Sequence, residues 1–362
     1  MPSAICKNII IAPLDWGLGH TTRCIPIIRY VSALGHRVLF AGNEGQCGYI
    51  KKVFPHMDVQ HLDGYRIHYN EGNTLANAIA RQVPGILKTI RKENDWLHQY
   101  CTKHKIDGII SDNRYGLHHS SIPSVIITHQ LQIQTGMGRL ADAMLQMLHY
   151  KYLNRFSQCW VADVPGNFNL GGRLSHPNHL PKNTRYIGLL SQFRSRSARL
   201  DRGHLLVLLS GPEPQRTILH NKLWEQVKDL DQKVVFIAGS EHSVSPTIIP
   251  SNITYHPILS GEPLLEELEN AELVICRSGY STLMDLAVSG KSAITIPTPG
   301  QTEQEYLAAH LYKQGIHYTV DQNKLNLSEA LEAVKDFPFH KPDLSNGFSL
   351  HQPVIKDWID SL

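Results

Sequence analysis

The chain has 362 residues, 42% of them hydrophobic and 19% charged, which is the make-up of an ordinary folded polypeptide and excludes a disordered or coiled-coil protein. A single hydrophobic core stops growing near ~250–300 residues, so two domains are expected. Lys+Arg 35 against Asp+Glu 32 leave a net charge of +3, too weak a field to point to nucleic acid as a partner.

Short apolar runs of strand length alternate with helix-length periodic segments along the whole chain, the pattern of a parallel α/β sheet. Asn8 to Ala12 reads as a first strand, Leu14 to His20 as a Gly-rich loop, Thr21 to Leu34 as a helix stopped by Gly35, and His36 to Ala41 as a second strand. Ile86 to Lys105 mixes Leu87, Ile90, Trp96, Leu97 and Tyr100 with Lys and Arg; it reads as a basic surface helix or as a face for an anionic membrane. Asp107 to Ser111 and Ser124 to Thr128 are apolar enough to be buried strands, and Arg139 to Tyr152 has helical spacing. The polar, basic stretch Arg194 to Arg199 reads as a linker. Strand-like runs restart at His204 to Leu209 and recur at Lys233 to Ala238, Leu273 to Cys276, Ser292 to Ile296 and His317 to Val320.

The expected fold is therefore α/β, with two doubly wound Rossmann-like domains, 1–190 and 200–345, facing a central cleft. A C-terminal helix within 346–362, with Trp358 and Leu362, is expected to pack back on the first domain. No apolar run approaches the ~20 residues of a membrane span, and no signal-peptide pattern is visible. Cys6, Cys24, Cys47, Cys101, Cys159 and Cys276 contain no C-x-x-C pair, and most sit in apolar stretches as small buried hydrophobes do, which reads as a reducing, cytoplasmic compartment. The 21 histidines show no metal-ligand spacing, so no metal site is expected. Asp229-Leu230-Asp231 imitates a D-x-D metal motif but falls where a helix-to-strand turn belongs.

Three loops could carry chemistry. Asp15-Trp16-Gly17-Leu18-Gly19-His20 leads into a helix, where glycines allow close backbone approach and free N–H groups attract an anion. Thr22 stands where a dinucleotide fingerprint needs glycine. His20 is placed either as a general base or as a residue that merely lines the cleft. Ser210-Gly211-Pro212-Glu213-Pro214 is small enough at its start for main-chain N–H groups to meet a phosphate, although its prolines remove donors. In Cys276-Arg277-Ser278-Gly279-Tyr280-Ser281-Thr282-Leu283-Met284-Asp285 a strand ends, Ser278-Gly279 turns, and a helix starts with N–H groups free for a diphosphate. Asp285 either accepts two ribose hydroxyls or is a solvated helix acid.

The run from Arg277 to Gly290, followed by A-I-T-I-P-T-P-G-Q-T-E-Q-E-Y-L-A-A, resembles the donor-binding half of glycosyltransferase family 28, and G-L-G-H resembles that family's Gly-Gly-His turn. The resemblance implies a GT-B fold and inverting, metal-independent transfer from a UDP-linked sugar, with no cofactor. Carried over by position, Asp285 replaces a glutamate that binds ribose and Tyr280, Ser281, Thr282 and Met284 meet the diphosphate with Arg277, Ser278 and Gly279. Gln304 touches the donor sugar. Gly17, Gly19 and His20 face the reacting centre, Gly211-Pro212 takes the place of a Gly-Ser pair at the pyrophosphate, and Arg194 lies near a phosphate-binding arginine. The implied acceptor is a glycan or a lipid-linked sugar, with peripheral contact at the inner membrane face. His20 is the expected base, and Asp112 is expected to orient its ring. A UDP-sugar hydrolase or epimerase on the same fold, or a non-catalytic donor-binding subunit, are the competing expectations.

Overall fold

The computed structural model describes residues 5–65, 75–133, 138–194, 203–240 and 246–362; linker positions 195–199 lie outside them. The chain divides into two compact units, one running to residue 192 and regaining 346–362, the other covering 193–345.

The first unit is built on β1 (Asn8–Pro13), β2 (Arg37–Gly42), β3 (Asp58–His61), β4 (Gly108–Asp112), β5 (Ser124–Thr128), β6 (Gln158–Val161) and β7 (Thr184–Tyr186). All pairings are parallel and the order is β3-β2-β1-β4-β5-β6-β7. Ile9, Ile10 and Ile11 are wholly buried, as a central strand covered on both faces requires. Helices α1 (Leu18–Ala33), α2 (Glu44–Val53), α3 (Leu75–Lys103) and α4 (Arg139–Leu153) connect the strands. At the start of α2, Asn43 and Gln46 form a reciprocal capping box, closing two N–H groups that the first turn would otherwise leave open. The apolar face of α3 turns inward: Ile90 and Leu97 are buried, and Trp96 and Tyr100 pack on the core of Ile10, Ile109 and Leu117. Of the apolar residues in Ile86 to Lys105, Ile90, Trp96, Leu97 and Tyr100 are thus buried or half-buried.

The helix His351–Asp360 also belongs to this unit, burying Ile355, Trp358 and Ile359. Trp358 sits edge-on to Trp160 at 5.6 Å, and Gly108 makes room for it, since a Cβ there would stand 2.6 Å from the indole. No helix among the described residues is long and apolar enough to cross a membrane.

The second unit repeats the plan with β8 (His204–Leu208), β9 (Val234–Ile237), β10 (Ile253–His256), β11 (Ala271–Cys276), β12 (Ala293–Thr295) and β13 (Tyr318–Thr319), in the parallel order β10-β9-β8-β11-β12-β13. Helices α5 (Gln215–Val227), α6 (Gly261–Asn270), α7 (Tyr280–Ser289), α8 (Thr302–Lys313) and α9 (Leu327–Ala333) surround it; the C-terminal helix is α10. Val207, Phe236, Ile275 and Ile294 from the sheet meet Leu219, Leu223 and Leu327 from α5 and α9 in one core. Asp229-Leu230-Asp231 falls between α5 and β9, as expected of a turn.

In each sheet the strand order reverses beside the first strand, between β1 and β4 and between β8 and β11. Loops on the two sides of such a reversal leave in opposite directions and open a crevice at the carboxyl ends of the strands. One boundary differs from the sequence reading in a way that matters: α1 starts at Leu18, not Thr21, so His20 lies in its first turn. Gly17 permits this by taking φ 72° as the residue before the helix.

Candidate active site

In the first unit, β1 and β4 run side by side with Pro13 paired to Asp112, so the loops that leave them start together. His20, two residues into α1, puts Nδ1 3.1 Å from Asp112 Oδ2. Asp112 is wholly buried and His20 is 14% exposed, so the carboxylate lies below the ring and the ring edge reaches solvent. Because the carboxylate accepts, Nδ1 carries the proton and Nε2 keeps its lone pair. Burial first, and then Arg23, hold the His20 pKa below its usual 6.5, although Asp112 pulls the other way. Burial opposes ionisation of Asp112 too, but Arg23 and His20 outweigh it and bring that carboxyl to about 2. The pair is therefore a neutral imidazole on an ionised carboxylate near neutral pH.

Arg23 was not singled out from the sequence. It is 2% exposed, donates Nε to Asp112 Oδ2 at 2.6 Å, and places Nη2 on Asp112 Oδ1. Its Nη1 donates to Nδ1 of buried His129 at 3.0 Å. Asn113, at φ 58°, has its amide beside Arg23 Nη2, Ile127 O and Thr128 Oγ1; assigned by that network, its nitrogen faces the two oxygens and its oxygen faces Nη2 at 3.3 Å. Sequence separations of 89 and 106 residues hid these contacts.

A second buried pair lies under the neighbouring loops. Arg114 donates Nε to Glu93 Oε1 at 2.8 Å, and the two side chains are 0% and 1% exposed. Glu93 Oε2 accepts from Tyr65 Oη at 3.0 Å and from Gly116 N at 3.2 Å, tying α3 to the loops after β3 and β4.

In the second unit, Leu208 pairs with Cys276, which brings the loops holding Gly211 and Ser278 to one edge of the sheet. Gly211 has φ 102° and open space where a side chain would be, so its main chain is accessible. Helix α7 starts at Tyr280 with no side-chain cap from Gly279, leaving its first N–H groups directed out of the helix end. Ser281, Thr282 and Asp285 are half-buried on that helix.

These features match known proteins. The glycosyltransferase family 28 C-terminal domain matches residues 215–346. An uncharacterized glycosyltransferase of Methanosarcina mazei is 22% identical over 334 residues, 83% of this chain and 82% of that one. The UDP-N-acetylglucosamine–N-acetylmuramyl-(pentapeptide) pyrophosphoryl-undecaprenol N-acetylglucosamine transferase of Exiguobacterium sibiricum is 28% identical over 145 residues, 38% of this chain and 39% of that one. Among solved structures, the glycotransferase of kitacinnamycin superposes with a TM-score of 0.70 at 16% identity, covering 98% of both chains. The chain is a GT-B glycosyltransferase with a family 28 C-terminal domain.

Several side chains that the sequence suggests for a donor are engaged within the fold of the second unit. Arg277 is 1% exposed and donates to three carbonyls, Ile296 O and Pro297 O at 3.1 Å and Gln215 O at 2.8 Å. It braces the ends of β12 and α5 rather than offering its charge outward, and burial lowers its pKa to about 10. Ser278 is wholly buried and gives its hydroxyl to Gln304 O at 2.8 Å. Tyr280 is 3% exposed, so the start of α7 offers its main chain and not that ring. Gln304 commits its amide oxygen to Thr298 N at 2.9 Å, which fixes the loop after β12. Arg194 is exposed, and no bond among the described residues joins it to the loops after β8 or β11.

Proposed function

We propose that this glycosyltransferase moves an N-acetylhexosamine or hexose from a UDP-sugar to a hydroxyl of a glycan or lipid-linked acceptor, with inversion at the anomeric carbon and without a metal. The observation that carries the reading is the His20–Asp112 pair at the strand reversal of the first unit, in a chain whose second unit is a family 28 donor domain. The acceptor oxygen forms a bond to the anomeric carbon while its proton passes to His20 Nε2. The bond from that carbon to the diphosphate breaks, and its electron pair leaves with UDP. Asp112 stabilises the imidazolium so formed. N–H groups at the start of α7 face the charge growing on the leaving diphosphate, and Asp285 holds the ribose hydroxyls.

A lipid-linked acceptor is supported by α4, where Leu140, Met144 and Met147 are 78%, 66% and 73% exposed at helical spacing. The Exiguobacterium relative is named for an undecaprenol-linked acceptor. Such an acceptor would bring the enzyme to the cytoplasmic face of the membrane as a peripheral protein.

The test is a thermal-shift comparison of UDP, GDP, dTDP and CMP, followed by UDP release from candidate UDP-sugars with and without acceptor. Selective stabilisation by UDP and acceptor-dependent release are expected; at a ligand concentration of 100 Kd the stabilisation is about 2.7 kcal/mol. Release of UDP with no acceptor present would point to a hydrolase instead, and conversion of one UDP-sugar to another without net UDP release to an epimerase.

A further inference from the structure

The reading above assigns a base and its carboxylate, but it leaves unexplained a fully buried guanidinium directly beneath them. We propose that Arg23 is a positioning residue that sets the tautomers of two imidazoles in opposite senses, leaving Nε2 of His20 as a proton acceptor and Nε2 of His129 as a proton donor.

The argument rests on which atoms can donate. A guanidinium has no acceptor, so the 3.0 Å contact from Arg23 Nη1 requires a lone pair on His129 Nδ1. A ring that accepts at Nδ1 carries its proton on Nε2. An ionised carboxylate has no proton to give, so the 3.1 Å contact between Asp112 Oδ2 and His20 Nδ1 requires the proton on Nδ1 of His20. Arg23 stands between the two rings and also engages both oxygens of Asp112. It thereby keeps Asp112 ionised, keeps that carboxylate in the plane that receives His20, and holds His129 by its other end. The bonds from Nε and Nη2 to Asp112 and from Nη1 to His129 leave one planar group, a pattern that an ammonium cannot reproduce.

Electrostatics point the same way. The charged or titratable groups facing His20 are Arg23 on its own helix, Asp112 at the end of β4 and His129 after β5. Arg23 opposes a positive charge on the ring while Asp112 favours one, so removing the guanidinium leaves mainly burial to oppose the carboxylate. A ring in that setting protonates at higher pH, and a smaller share of it is the free base at neutrality. The protonation of His20 and the tautomer of His129 would both lose definition.

This inference depends on His20 acting as the base, and the experiment separates the two. Protein labelled with nitrogen-15 in histidine is compared as wild type, Arg23→Lys and Arg23→Gln, by imidazole NMR and by the pH dependence of kcat/KM, with His20→Ala as a further enzyme. Wild type should show an Nδ1–H ring for His20 and an Nε2–H ring for His129. In Arg23→Gln the acid limb should move up by about one pH unit or more, and His129 should lose its single tautomer. Arg23→Lys should restore the acid limb but not the His129 tautomer. If Arg23→Gln does not fold, the wild-type spectrum and Arg23→Lys still decide: Nε2 unprotonated in His129, or a fixed tautomer surviving in Arg23→Lys, overturns the proposal. If His20→Ala turns over at the wild-type rate while both rings answer to Arg23, the base assignment fails and the control of the tautomers stands.

Discussion

The Ser278 hydroxyl donates to the main-chain oxygen of Gln304 at 2.8 Å, joining the turn after β11 to the first turn of α8. Ser278 is wholly buried, so its side chain holds the shape of the loop after β11. Ser278→Ala should cost about 1 kcal/mol of stability, the net worth of one such bond. Asp285→Ala should instead abolish most of the UDP-induced thermal shift. Melting curves with and without UDP separate the two effects; equal loss of UDP binding in both variants would return Ser278 to a direct contact.

Removal of the base should be visible in rate before affinity. His20→Ala is expected to lower kcat by roughly 10²–10⁴ with little change in the UDP-induced shift. The ring must be neutral to accept a proton, and burial together with Arg23 lowers its pKa from 6.5. The acid limb of kcat/KM should therefore fall below pH 6.5, and a wild-type limb above that value would contradict the geometry. The same displacement makes stability fall with falling pH, because the unfolded histidine binds a proton first.

The alternation of strands and helices, two sheets and the three loops at their carboxyl ends were legible because apolar runs and glycine turns are local signals. The start of α1 was not. Gly17-Leu18-Gly19 reads as a loop, and only the positive φ of Gly17 lets the helix begin before His20. β3, with the sequence D-V-Q-H, and β7, with T-R-Y, lie at the two edges of the first sheet and lack the apolar run that marks the inner strands. Arg23 read as one more helix arginine, because nothing within a helical turn predicts partners at residues 112 and 129. The inward turn of Arg277 was hidden for the same reason: its three carbonyl partners come from loops 19, 20 and 62 residues away.

Asp112 gives an acid-stability prediction with a definite window. Its pKa is held at about 2 against an ordinary 3.8, so its ionised form favours the folded chain. That contribution is complete above pH 3.8 and disappears as the pH falls toward 2, amounting to on the order of 2 kcal/mol. Asp112→Asn should be less stable than wild type at pH 7, leaving Arg23 buried without its anion, and the gap should narrow between pH 4 and about 2. Urea midpoints across that range measure it; a constant gap would mean that the carboxylate titrates normally.

The Glu93–Arg114 pair supports the loops around Tyr65 and Gly116 without reaching the base. Removing one member leaves the other charge buried, so Glu93→Gln or Arg114→Met should cost about 3–5 kcal/mol. The double variant should cost clearly less than the sum of the two, since neither charge is then stranded. Additive losses in chemical denaturation would mean that the two groups act separately.

Two glycines with similar backbones should respond very differently to a methyl group. Gly17 has φ 72° and ψ 179° with nothing within 4 Å of the added carbon, so Gly17→Ala meets backbone strain alone, about 1–3 kcal/mol. Gly188 has φ 77°, and its Cβ would stand 1.9 Å from the oxygen of Gly347, an atom already bonded to Leu189 N at 3.0 Å. That oxygen belongs to main chain packed on Val164 and cannot swing aside as a side chain would. Gly188→Ala should therefore lose more than about 3 kcal/mol and loosen the attachment of α10 to the first unit. Urea denaturation measures the first effect and amide exchange at Ile355, Trp358 and Ile359 the second. Equal stability of the two variants would mean that the close approach at Gly347 carries no packing constraint.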